Sequence, residues 1–238
     1  MKYANVRATP YGLEPVEPSQ GAPLISGIGK IVAVGLNYMD HVRETKGQPP
    51  ANPLLFAKFP SCVVGHGDAI RVDPARAERV DWEVELAVVI GHRASRVPAS
   101  RALDHVFGYT VANDVSARDL QFADGQWVRG KNLDTFCPLG PLIVSADEIA
   151  DPQNLRLRTR VDGEVVQDSS TAEMIFDVAT IIAFVSDHCA LEPGDVLLTG
   201  TPWGCGEFMT PRRSLVAGNV VECEIDGIGV LRNPVVAG

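Results

Sequence analysis

The stretch Asp81-Trp82-Glu83-Val84-Glu85-Leu86-Ala87-Val88-Val89-Ile90 decides how this chain folds. Read as a strand, it alternates with period 2. Asp81, Glu83, Glu85 and Ala87 share one face, and Trp82, Val84, Leu86 and Val88 the other. From Leu86 to Ile90 both faces are apolar, so the strand is expected to be covered on both sides. Glu83 and Glu85 then sit side by side, roughly 7 Å apart by strand rise, and at least half buried. Like charges held there are costly unless something positive lies between them. A shared proton, an arginine or lysine, or a divalent cation with oxygen ligands would serve. A solvated strand edge with two harmless glutamates is the competing reading, and this stretch alone does not choose.

Composition narrows the class. The 238 residues, 45% apolar and 21% charged with 22 glycines and 17 prolines, fit a turn-rich globular protein with a sizeable core. A net charge of −9 argues against nucleic acid or an anionic membrane as partner. No apolar run approaches the ~20 residues of a membrane span, and Met1 to Arg7 lacks a signal peptide's apolar core. Cysteines 62, 137, 189, 205 and 223 form no C-x-x-C pair. That pattern excludes a simple disulfide framework or a cysteine zinc site and suits a reducing cytoplasm.

Outward from the acidic strand, the chain reads as strand-rich α+β. Residues 1–28, broken by Pro10, Pro15, Pro18 and Pro23, are expected to be a small N-terminal segment of one or two strands and a connector, ahead of a domain over 29–238. Ile31 to Leu36 reads as a buried strand, followed by a helix capped at Asn37 and stopped at Gly47. On it His41 and Glu44 share a face, as a surface hydrogen bond or as a general base with its orienting carboxylate. Leu54 to Lys58 and Gly108 to Ala112 read as strands, and His66 as a turn residue. A helix is expected to begin near Asp114 or Ser116. Capping would not explain why Asp114, Arg118, Asp119, Gln121 and Lys131 crowd together. Asp162-Gly163 and Asp226-Gly227 mark hairpin turns. From Thr171, Ile175, Val178, Ile181, Ile182 and Val185 recur at helical spacing, with Met174 and Phe176 read as core.

A hard divalent ion that leaves positions open for substrate needs about three carboxylates. Glu83 and Glu85 supply two, and Asp114, at a strand end, is the best third. Magnesium or manganese suits such an all-oxygen set.

Several stretches also resemble the fumarylacetoacetate hydrolase family in its short form. They are GLNYMDHVRE (35–44), DWEVELAVVIG (81–91), GYTVANDVSARDLQFADGQWVRGKNLDTFCPLGP (108–141), VDGEVVQDSS (161–170), LEPGDVLLTGTP (191–202) and EIDGIGVLRNPV (224–235). The resemblance implies a β-rich core of mixed sheets, a homodimer, and one Mg²⁺ or Mn²⁺ held by Glu83, Glu85 and Asp114. It makes His41 and Glu44 a dyad on a mobile lid helix and Lys131 the neutraliser of developing negative charge. Arg118, Gln121 and Thr201 become substrate contacts. Asn132-Leu133 and Trp203 depart from the family pattern and bear on substrate size.

The implied chemistry is metal-dependent C–C cleavage of a 2-oxo or β-dicarbonyl acid, by hydrolysis or decarboxylation, through an enolate. The alternatives are a 2-hydroxyhepta-2,4-diene-1,7-dioate-type isomerase and a non-catalytic homologue holding a structural ion. Neither His41 nor Lys131 is needed to hold a hard cation, so Lys131→Met is expected to leave metal affinity nearly intact.

Overall fold

In the computed structural model, which describes residues 1–17 and 23–238, the acidic pair's strand runs Val84–Ile90 and is buried at every position. It lies inside a mixed eight-stranded sheet, antiparallel to Val106–Asn113 on one side and to Val196–Leu198 on the other. Beyond Val106–Asn113 come Cys137–Ser145 and Lys2–Tyr3, with Val63–Val64 also on Cys137–Ser145. Beyond Val196–Leu198 come Ile31–Gly35, parallel to it, and the edge strand Leu54–Lys58.

The period-2 alternation separates two cores. Trp82, Val84, Leu86, Val88 and Ile90 enter one apolar cluster, Ala87 and Val89 the other. The first fills the space against a five-stranded sheet ordered Glu164–Ser170, Arg156–Val161, Val220–Ile225, Gly229–Ala237 and Ile70–Val72. The helix Val178–His188 adds Val178, Ile181, Ile182 and Val185 to it. Val6, Leu24 and Ile25 close the second. Fully burying such side chains stabilises by roughly 1.5–3 kcal/mol each, which is why a strand apolar on both faces takes an interior place.

Several local expectations change. The strand does not run unbroken from Asp81. Val80–Asp81 pairs separately with Ser116–Ala117, and Trp82-Glu83 is a link. Besides a backbone bond to the Glu83 carbonyl, side chains hold this link: Glu83 N–H donates to Asn113 Oδ1 (3.0 Å), Val84 N–H to Gln167 Oε1 (3.1 Å), and the Trp82 indole N–H to the Gly204 carbonyl (3.1 Å). Asn37 is no helix cap. The helix runs Met39–Thr45 behind Tyr38, and the buried Asn37 amide donates to the Thr199 and Phe176 carbonyls while accepting from Phe176 N–H. That helix closes on Lys46 in the left-handed region (φ 54°), just before Gly47 as expected. The helix expected near Asp114 or Ser116 starts at Arg118, so Asp114 precedes the bridge strand Ser116–Ala117 instead of capping anything. Thr171–Glu173 is a single 3-10 turn. The long helix starts only at Val178, capped by Asp177, whose carboxylate accepts from Thr180 N–H at 2.7 Å.

Among the described residues the N-terminal part holds four strands, Lys2–Tyr3, Val6–Thr9, Gly12–Pro15 and Ile25–Ser26, where one or two were expected. Residues 18–22 of the expected connector lie outside the described residues. The Asp162-Gly163 hairpin forms with both residues at positive φ (54° and 84°), as a primed turn requires.

Candidate functional site

Three adjacent pieces of backbone bring the carboxylates together. Glu83 stands in the link before the central strand and Glu85 within it. Asp114 lies one residue past the antiparallel neighbour, where its N–H donates to the Glu83 carbonyl at 2.9 Å. One oxygen from each lies within 4.8 Å of the others, all three residues are buried, and among the described residues this is the one cluster of its kind.

Buried cations interleave with them. Lys131 Nζ donates to Glu83 Oε2 and to Asp114 Oδ2, both at 2.7 Å. Lys58 Nζ lies 2.5 Å from Asp114 Oδ1 and donates to the Lys131 carbonyl. Arg118 donates through Nε to Asp81 Oδ1 (2.7 Å) and through Nη1 to Gln121 Oε1 (3.0 Å), while its Nη2 is 2.6 Å from Glu83 Oε1. Asp81 Oδ2 accepts from Glu207 N–H at 2.8 Å. Glu85 accepts one hydrogen bond, from Gly200 N–H at 2.7 Å.

Lys58 and Asp81 escaped the sequence reading. The signal for Asp81 was in the alternation itself, which put it on the face of Glu83 and Glu85. Lys58 gave only a lysine closing an apolar strand. Asn132, read as a departure bearing on substrate size, instead anchors the end of the Lys131 helix: its amide donates to the Val128 (2.7 Å) and Ala57 (3.0 Å) carbonyls.

Four carboxylates (Asp81, Glu83, Glu85, Asp114) face three cations (Lys58, Lys131, Arg118), so one negative charge is left over. It falls on Glu85. Burial, and then the Asp114 and Glu83 charges, push its carboxyl well above the ordinary range. Burial alone would raise Glu83 too, but Lys131 and Arg118 outweigh it and bring that carboxyl down to about 2. Burial carries Asp81 up to about 6 against the pull of Arg118.

A hard divalent ion fits this donor set. The ligands are all oxygen, and Glu85, which no lysine or arginine bonds directly, has one hydrogen bond.

The sign of the pH effect follows. With its pKa raised, Glu85 contributes stability to the metal-free fold that is fully present below the unfolded carboxyl value, about 4.3, and is lost as pH rises through the folded one. An ion must displace that proton, so apparent affinity for Mg²⁺ is expected to climb with pH by up to about tenfold per unit while Glu85 is protonated. Calorimetry in two buffers of different ionisation enthalpy reads the released proton. Equal heats in both buffers would rule this out.

The cluster floors a cavity of about 290 Å³ lined by His41, Glu83, Glu85, Arg118, Gln121, Lys131 and Thr201. Of the nine residues singled out in the sequence, only Asp114 and Glu44 stand behind the lining. Asp114 is held by Lys131, and Glu44 Oε2 is 3.0 Å from His41 Nδ1. Glu44 Oε1 in turn accepts from Gly204 N–H at 3.0 Å, and Arg43 bonds Glu173 at 2.7 Å, so the short helix is pinned at both sides. Thr201 Oγ1 accepts from Gln167 Nε2 (3.0 Å), which leaves its own proton to donate. Trp203 does not narrow the cavity. It lies on the surface, its indole N–H donating to the Asp168 carbonyl at 3.2 Å.

A β-rich, mixed-sheet core that gathers hard oxygen ligands beside buried ammonium groups defines a fumarylacetoacetate hydrolase-type protein. Residues 30–236 match the model of the fumarylacetoacetate (FAA) hydrolase C-terminal family, and the chain belongs to that family. Mitochondrial oxaloacetate tautomerase fahd2 of Xenopus laevis is 51% identical over 209 residues, covering 87% of this chain and 65% of the relative. The chain thus spans about 65% of that curated relative's length. The solved fumarylacetoacetate hydrolase of Exiguobacterium antarcticum superposes with a TM-score of 0.82 at 44% identity, over 88% of this chain and 75% of that one. A 2-hydroxyhepta-2,4-diene-1,7-dioate isomerase from Mycobacterium marinum gives 0.78 at 45% identity, over the same shares. Among the described residues no helix is long and apolar enough to cross a membrane.

Proposed function

We propose that this chain is an enzyme that interconverts the keto and enol forms of a short 2-oxo acid, with oxaloacetate the substrate to try first. Mg²⁺ or Mn²⁺ would be held by Glu83, Glu85 and Asp114. The carrying observation is that one cavity joins an oriented imidazole, His41, to a buried ammonium among carboxylates. The similarity to the Xenopus tautomerase and to the Mycobacterium isomerase supports proton transfer beside a keto group as the chemistry.

When bound, the ion supplies a Lewis acid for the carboxylate and keto oxygens of the acid. The chain's residues do the rest. His41, its tautomer held by Glu44, takes a proton from C3 and returns it. Lys131 offers an ammonium donor where negative charge develops. The Thr201 hydroxyl donates to the substrate carboxylate. Arg118 and Gln121, tied to each other, shape the wall and fix Glu83. A homodimer in the cytoplasm belongs to the same reading. Five free cysteines support a reducing compartment, and light scattering on the purified protein tests the dimer.

C–C cleavage, by hydrolysis or decarboxylation, is the second reading. It is favoured by the same His41–Glu44 pair, which can equally orient a water, and by the similarity to the Exiguobacterium hydrolase.

Following enol absorbance and pyruvate release separately, on oxaloacetate with Mg²⁺, tests both. The expected result is fast equilibration with little pyruvate, slowed about 10²–10⁴-fold by His41→Ala. Pyruvate release at the equilibration rate, or splitting of an acylpyruvate, would move the assignment to cleavage. No turnover of oxaloacetate, acylpyruvate or dienedioate despite ion binding would leave the structural-ion homologue.

A further inference from the structure

Away from its polar floor the cavity is aromatic. Phe56 stands edge-on to Trp127 with centroids 5.4 Å apart, and Lys131 Nζ is 5.2 Å from the Phe56 centroid. Phe208 packs edge-on to His41 at 5.2 Å and lies 5.7 Å from the Arg118 guanidinium. Phe122 lines the same cavity while 55% exposed, so the slot opens to solvent there. Gly35 makes the wall possible, because a Cβ at that position would fall 2.3 Å from the Trp127 ring. The aromatic surface therefore begins about one ring's width from the groups that would act on C2 and C3.

The lining cations are already largely committed. Lys131 gives two of its three ammonium protons to Glu83 and Asp114, which leaves one for the reacting oxygen, and Arg118 is held by Asp81, Gln121 and Glu83. Arg79, 5.6 Å from the Phe122 ring, is tied to Glu207 at 2.8 Å. At the aromatic end of the slot a second carboxylate, such as that of oxaloacetate, would meet rings and the solvent opening at Phe122 rather than a free cation, which weakens its binding without excluding it. A flat apolar group would instead find edge and face partners on both sides. The volume, about 290 Å³, stands at the lower bound of cavities that enclose ligands well beyond four carbons.

We infer that the site accepts 2-oxo acids bearing an aromatic group on C3, the arylpyruvates, and interconverts their keto and enol forms. This rests on the tautomerase reading above and adds the substrate class. In the enol-to-keto direction the enol O–H bond breaks and its proton passes to water. The C2–O bond becomes a carbonyl, and the C2=C3 electron pair takes a proton from His41 to form the new C3–H bond. His41 regains its proton from water, so no oxidant or reductant is consumed.

The test uses the purified protein with Mg²⁺, phenylpyruvate and oxaloacetate as parallel substrates, and phenylpyruvate as a competitor of oxaloacetate. Phenylpyruvate is expected to be tautomerised with a KM about tenfold below that of oxaloacetate, the scale on which an apolar slot discriminates, and to compete at that same concentration. Phe122→Arg, at an exposed position, should raise the phenylpyruvate KM about tenfold and lower that of oxaloacetate. Phe122→Leu should fall between the two. If oxaloacetate is turned over and phenylpyruvate is not, whether or not it competes, the inference is overturned and the tautomerase reading stands. If neither is turned over, both fall together.

Discussion

Glu85→Gln is expected to abolish divalent-ion binding and turnover while leaving the metal-free fold nearly as stable as before. Glu85 is the carboxylate that no lysine or arginine bonds directly, and its pKa is raised by burial and by the Asp114 and Glu83 charges. In the metal-free protein a neutral amide therefore replaces a group that already favours its neutral form. The Gly200 N–H keeps an acceptor, because the amide oxygen can take the same hydrogen bond. With the ion the comparison reverses, because one of three hard anionic ligands is gone. Thermal melts with and without Mg²⁺ separate the two effects. At about 100 times Kd the wild type should gain roughly 2.7 kcal/mol from the ion, and the variant nothing. A preserved Mg²⁺ shift in the variant would remove Glu85 from the ligand set.

Lys131→Met is expected to have the largest effect on the metal-free fold. Its ammonium bonds Glu83 and Asp114 at 2.7 Å each, wholly out of water, so the substitution leaves two buried carboxylates facing each other. Removing one partner of a buried charge pair costs about 3–5 kcal/mol. The lower end is expected, because Lys58 still neutralises Asp114 and Arg118 still neutralises Glu83. These contacts sharpen the expectation from sequence that metal affinity stays nearly intact. The ammonium competes with a cation for two of the three ligands, so affinity for Mg²⁺ in the variant should be at least that of the wild type. Mg²⁺ should then restore part of the lost stability. Catalysis should still fall about 10²–10³-fold in kcat/KM, on the order of 2.7–4 kcal/mol, as for loss of one preorganised donor. Urea melts with and without Mg²⁺ read the first effect. A metal-free melt matching the wild type would show that the charges are not coupled as drawn.

The site was more legible than the elements around it. Glu83 and Glu85 announced themselves because a period-2 pattern put acids on a face that turns apolar at Ala87, two residues after Glu85. A local pattern of that kind survives any tertiary arrangement that buries the strand. Asn37 misled for the opposite reason. As a cap it obeys a local rule, but its amide is taken by Phe176 and Thr199, more than a hundred residues away, and the helix starts without a side-chain cap. Ile175 kept helical spacing yet lies ahead of the helix, because Asp177 offers a stronger start two residues later.

By itself, then, the sequence determined the class of fold and the oxygen-only character of the cluster, and it offered a buried acidic strand against a solvated edge without choosing. The class follows from the run of strand patterns along the chain, the cluster from the residue types of one short stretch, and the burial from the tertiary structure. The tertiary structure alone decided how the charge is balanced. Lys58 reaches Asp114 from the sheet's edge strand, Lys131 from a four-residue helix and Arg118 from the start of another. Which carboxylate is left without a direct cation, and so carries the proton, depends on distances of a few ångström between segments far apart in the chain. Coulomb energies in a buried site change steeply over such distances, and no periodicity in the sequence encodes them.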